Sequence, residues 1–88
     1  KKMKVAVWDT YVTRKDGRIM HFDIIVEDGT SQKKVFEYGR EYLKTKKEKG
    51  QKLTSKECNF CHTEEAKQEV ESSIKEKGYY IYEMENCD

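Results

Sequence analysis

Two runs of alternating apolar residues flank Arg14-Lys15-Asp16-Gly17, and no other feature of the chain constrains its fold as tightly. The first run, Lys4 to Thr13, sets Val5, Val7 and Tyr11 on one side and Ala6, Trp8 and Val12 on the other. The second, Arg18 to Glu27, sets Met20, Phe22, Ile24 and Val26 on one side. A period of two is the strand period, and Asp-Gly tolerates the positive φ that a tight turn demands. The pair therefore reads as an antiparallel hairpin. A two-residue turn at Asp16-Gly17 puts Val12 opposite His21 and Thr10 opposite Asp23. A bulged three-residue turn shifts every pair by one, and the sequence leaves both registers open.

Beyond the hairpin, Asp28-Gly29 turns the chain and Thr30 or Ser31 can cap a helix running to about Lys47. Val35, Phe36, Tyr38, Gly39, Tyr42 and Leu43 form its inner face at helical spacing. Gly39 in mid-helix points to close approach of a neighbouring element, since glycine there costs about 0.5–1 kcal/mol relative to alanine. Lys44 to Lys52 carries five lysines against the single Glu48. Leu53 to Cys61 reads as a short strand or an extended loop. Thr63 reads as the cap of a second helix, with Ala66, Val70, Ser73 and Ile74 as its inner stripe and Gly78 as its terminator. Tyr79 to Glu85 is a final strand rich in tyrosine. The expected fold is one small α+β domain over residues 3–88, in the order β-β-α-(β)-α-β. Its sheet is expected to be mixed and three- or four-stranded, with both helices on one face. Lys1 and Lys2, ahead of Met3, read as a cloning remnant.

Composition narrows the function classes. Of the 88 residues, 40% are charged and 35% hydrophobic. Val, Ile, Leu and Phe together fall just short of the about one fifth usual in a globular chain. The near-neutral net charge of +1 and the periodic placement of the apolar residues still favour a folded domain. That charge argues against an electrostatic role on nucleic acid or an anionic membrane. The lysine connector lacks interleaved aromatics, although Tyr79, Tyr80 and Tyr82 could supply a stacking face. No apolar stretch resembles a signal peptide or a membrane span. Three cysteines, an odd number, do not suggest a disulfide framework, and the expected compartment is the cytoplasm.

The opening Met3-Lys-Val-Ala-Val-Trp-Asp-Thr-Tyr-Val-Thr, the Met20-His-Phe-Asp segment, Glu57-Cys-Asn-Phe-Cys-His and the closing Gly78-Tyr-Tyr-Ile-Tyr-Glu-Met carry a resemblance. The chain resembles, over essentially its whole length, a family of short bacterial proteins known as a domain of unknown function. The resemblance implies a compact single domain and no mechanism.

Two groups of residues could carry chemistry. The first is Cys58-Asn59-Phe60-Cys61-His62. As Cys-x-x-Cys-His it matches a haem attachment pattern, which an export signal would normally accompany. As a zinc site it would use Cys58, Cys61 and His62, with Cys87 or His21 as the fourth ligand. As a redox dithiol it would need the first thiol at a helix N-terminus, which the expected helix start at Thr63 does not give. Against all three stands plain packing, since free cysteine behaves as a small hydrophobe. The second group is His21 and Asp23, which share a strand face opposite Met20 and Phe22. A carboxylate beside histidine can orient it as a general base. Asp9, set among apolar residues beside Trp8, is either exposed or held in a pocket. No phosphate-cradling glycine loop appears, so no nucleotide cofactor is expected. The leading expectation is a small binding or interaction module, with self-association through the tyrosine-rich strand. The alternative is a metal or thiol site at Cys58, Cys61 and His62.

Overall fold

The computed structural model describes residues 2–88; the remnant reading of Lys1 lies outside them. Strands β1 (Lys4–Thr13) and β2 (Ile19–Glu27) form the hairpin. The Arg14 amide donates to the Arg18 carbonyl at 2.7 Å and the Gly17 amide to the Arg14 carbonyl at 2.9 Å. Lys15, Asp16 and Gly17 therefore form a three-residue loop, with Gly17 at φ +94°. This is the bulged alternative, and it decides the register: Asp9 faces Asp23, Tyr11 faces His21, and Val12 faces Met20. The two-residue register, with Thr10 opposite Asp23, does not form.

Helix α1 (Gln32–Thr45) follows, capped by Ser31, whose hydroxyl accepts from the Lys34 amide. β3 (Cys58–Glu65), α2 (Gln68–Lys77) and β4 (Tyr79–Glu85) complete the chain. Thr63 lies in β3 and caps nothing. It pairs with Ala6, as Glu64 pairs with Val5, and the ladder holds these residues extended until α2 begins after Lys67.

The four strands lie in the order β3-β1-β2-β4, and every pairing is antiparallel. The expectation of a mixed sheet is corrected. The strands joined through helices are not neighbours, because β3 adds beyond β1 and β4 beyond β2. The two helices also take opposite faces rather than one. Val12, Met20, Phe22, Ile24 and Val26 are buried against Val35, Tyr42 and Leu43 of α1. On the other face Val5, Val7 and Ile25 are buried against Val70 and Ile74 of α2. The cause is β1, which is apolar on both sides and needs a cover on each. Gly39 meets the expectation of close approach: a Cβ there would lie 2.5 Å from Leu53 Cδ1 and 2.9 Å from Ile24 Cδ1.

Arg14 and Glu48 pin the hairpin tip. Arg14 Nε donates to Glu48 at 2.9 Å and its Nη1 donates to the Asn86 carbonyl at 2.7 Å. The Lys15 amide donates to the same carboxylate at 2.8 Å. The Lys15 amide and Arg14 hold the Glu48 carboxyl below its ordinary range. The lone acid of the lysine connector thus ties the connector to the hairpin tip and the chain's last residues.

Candidate functional site

α2 is shorter than the strands beneath it and covers only one end of its face. The uncovered end carries the polar residues of the central strands. Tyr11, Ile19 and Tyr82 stand at its margin, 48%, 53% and 53% exposed. At its centre, the register of the three-residue loop brings Asp9, His21 and Asp23 together.

His21 Nε2 donates to Asp9 Oδ1 at 2.8 Å. Its Nδ1 lies 3.9 Å from Glu85 Oε1. The imidazole stacks on Tyr11, with centroids 4.0 Å apart and planes 11° from parallel. Asp9 and Asp23 are direct cross-strand partners, an arrangement in which like charges repel. Burial, then the Asp9 charge, pushes the Asp23 carboxyl above its ordinary range, while His21 and His62 oppose the shift. Desolvation and the same carboxylates raise the Tyr11 phenol. One ligand atom from each of Asp9, His21 and Asp23 lies within 4.8 Å of the others. Among the described residues no other group of three His, Cys, Asp or Glu side chains converges in this way.

Beside this cluster, between α2 and the open sheet, is a cleft of about 280 Å³ whose polar lining is Asp23, His62, Glu64, Lys67, Glu69, Tyr80 and Tyr82. His62 Nε2 donates to Glu64 at 2.8 Å and the Tyr80 hydroxyl donates to Glu69 at 3.1 Å. Burial, then that bond, raises the Tyr80 phenol. Two wider hollows beside Lys2 are lined by Lys4, Glu27 and Asp28, and by Lys67, Ser72 and Lys75, each with Glu71. Neither contains His, Cys or an aromatic ring.

Of the Cys-x-x-Cys-His segment, Cys61 Sγ and His62 Nδ1 lie 3.3 Å apart, while Cys58 is turned away from both. Cys58 is fully buried on the α1 face, where Thr10 Oγ1 donates to its sulfur at 3.3 Å. Burial pushes its thiol up and the Thr10 bond only partly offsets this. Cys61 is exposed at an irregularity in the β1–β3 pairing, where His62 pairs with Val7 and Phe60 with Trp8. His62 lies on the α2 face. Cys87 is buried on the α1 side, its thiol donating to the Glu85 and His21 carbonyls rather than reaching the His21 ring. All three thiols are free. His21 and Asp23, read as a pair from the sequence, do come together. Their companions are Asp9 and Tyr11 instead of Thr10, and the three-residue loop was the signal that could have named them.

The fold is a four-stranded antiparallel sheet with one helix on each face, one end of the α2 face left open at a His–carboxylate cluster. The family model described as "Domain of unknown function (DUF2024)" matches residues 3–84, and the chain belongs to that family. It is similar to the NMR structure of protein NE1680 from Nitrosomonas europaea, with a TM-score of 0.85 and 46% sequence identity. That match covers 98% of this chain and 100% of the other. The search of curated proteins finds no match. No described helix is long and apolar enough to cross a membrane.

Proposed function

We propose that this protein is a small cytoplasmic binding module that takes an organic cation, an alkylammonium or guanidinium group, in the cleft beside α2. The observation that carries the reading is the lining of that cleft. Three carboxylates, Asp23, Glu64 and Glu69, converge there with the Tyr80 and Tyr82 rings against one lysine, Lys67.

The tyrosines of the molecule divide in a way that supports it. Tyr38, Tyr42 and Tyr79 each have a lysine ammonium over the ring, at 5.2, 5.8 and 4.9 Å. Among the described residues none lies over Tyr80 or Tyr82. An aromatic face in a carboxylate-lined cleft offers a cation both a ring quadrupole and a counter-charge. Three free thiols suit a reducing compartment.

The test is calorimetric titration with agmatine, which presents a guanidinium and an ammonium on one short chain. Saturable binding that weakens with salt is expected. Tyr82→Ala and Glu69→Gln should each weaken it about threefold or more, the loss from removing one exposed cation contact. Absence of saturable binding, or equal binding by both variants, overturns the reading. A face that self-associates instead would show as a concentration-dependent dimer in sedimentation, which agmatine would leave intact.

A further inference from the structure

We propose that Asp9, His21 and Asp23 form a binding site for a divalent first-row metal ion such as Zn²⁺ or Mn²⁺. Nothing in this inference requires the organic-cation reading, although Asp23 borders both sites.

Three observations converge. The donor set is one imidazole and two carboxylates, which suits ions of this class and is too nitrogen-containing for a calcium cage. Two adjacent central strands in fixed register present it, so the donors are held by the ladder rather than by a loop. The electrostatics are also unfinished. Among the described residues Asp9 has His21 as its only side-chain hydrogen-bond or ion-pair partner, and Asp23 has none. Elsewhere buried or half-buried acids are answered, Glu48 by Arg14 and Glu71 by Lys75. Two carboxylates facing each other across a strand pair, with no lysine or arginine between them, are what a dication would neutralise.

The geometry needs a small closure. Donors about 2.1 Å from a tetrahedral ion stand ~3.4 Å from one another. The 4.8 Å envelope of the three donor atoms therefore contracts by rotation of the half-buried Asp side chains. His21 Nε2 already points at Asp9. Binding takes the Nδ1–H tautomer, the proton moving from Nε2 to Nδ1 in a neutral ring or leaving Nε2 for solvent in an imidazolium, so that the Nε2 lone pair meets the ion. Glu85, 3.9 Å from Nδ1, is placed to accept the remaining ring N–H and orient the imidazole. Tyr11, stacked on the ring, holds its plane. Because α2 ends short of this position, the outer coordination positions face solvent and stay open to water or a ligand.

The experiment uses MnCl₂ and ZnCl₂ alone, in a non-coordinating buffer, on untagged protein. Substoichiometric Mn²⁺ should broaden the backbone amide signals of Asp9, His21 and Asp23 and their neighbours first. Zn²⁺ titration should give one site, weakened at least tenfold in His21→Ala and in the near-isosteric Asp23→Asn. Cys58→Ser and Cys61→Ser should retain the affinity. Broadening that centres instead on Glu64, Glu69 or Glu71 overturns the proposal, as does a Zn²⁺ affinity unchanged by His21→Ala. The Mn²⁺ map needs only the unmodified chain, so a variant that fails to fold does not remove the test.

Discussion

Asp23→Asn should stabilise the metal-free protein near neutral pH, although it deletes a charged group from the centre of the sheet. Asp9 and Asp23 are cross-strand partners with ligand atoms within 4.8 Å. Two unit charges at that distance repel by ~1 kcal/mol at a water-like dielectric and ~3.5 kcal/mol at an effective dielectric of 20. The Asp9 side chain is 40% exposed, so solvent screening puts the expected gain near the lower end, about 1 kcal/mol. In a domain of this size that is a rise of about 4–8 °C in Tm. The linkage has the same sign. The folded pKa of Asp23 is raised, so the folded state holds its proton more tightly than the unfolded chain does. That contribution is full below the unfolded carboxylate value of about 3.9 and is lost as pH rises through the raised value. At neutral pH the ionised group is therefore a net cost, which asparagine removes. Asp9→Asn should gain less, because Asp9 accepts the His21 hydrogen bond. The assay is thermal unfolding at pH 7.5 with chelator, repeated at high salt, where the gap between variant and wild type should narrow. A variant no more stable than wild type, or a gap indifferent to salt, would refute the repulsion argument.

Three further outcomes follow from the packing. Gly78 ends α2 at φ +98°, and a Cβ there would lie 2.3 Å from the hydroxyl oxygen of Tyr38, whose ring is stacked on Tyr79. Gly78→Ala should cost ~1–2 kcal/mol for the backbone and a further ~1–3 kcal/mol for the clash, while Gly17→Ala, open on all sides, should cost only the first; denaturant melts compare them. The Tyr42 hydroxyl, then Lys46, holds the Glu83 carboxyl low. That stability is present above the unfolded glutamate value of about 4.3 and lost as pH falls through the lowered one, so Tyr42→Phe should flatten the stability loss between pH 5 and pH 3. In the folded protein a thiol-specific disulfide reagent should modify Cys61 alone, with Cys58 and Cys87 reacting only on unfolding, as their burial requires.

Strand and helix periodicity made most of the elements legible. β1 and β4 run between the expected residues, β2 starts one residue late, and α1 carries the expected inner face around Gly39. The layer order was harder to read. β1 is apolar on both sides, which requires two covers, yet the simplest packing puts both helices together. The Thr63-Glu64-Glu65 triplet is a good helix start by local chemistry, and pairing with β1 overrides it. The site turned on one residue of loop length. With two turn residues Thr10 would join Asp23; with three, Asp9 does, and a pair of polar residues becomes a three-donor cluster. The cysteine motif is conspicuous in the sequence because spacing is visible there. The strand leaves Cys61 in contact with His62 but carries Cys58 into the core on the opposite side of the sheet, a fact that spacing alone does not reveal.

The end of the sheet that α2 leaves uncovered, with the cleft beside it, is the proposed functional face. Amide chemical-shift mapping during an agmatine titration tests it most directly. Shifts are expected at Asp23, His62, Glu64, Tyr80 and Tyr82, with Val35, Leu43 and Leu53 on the α1 side unmoved. Shifts concentrated on α1 or the lysine connector, with the α2 face silent, would contradict it.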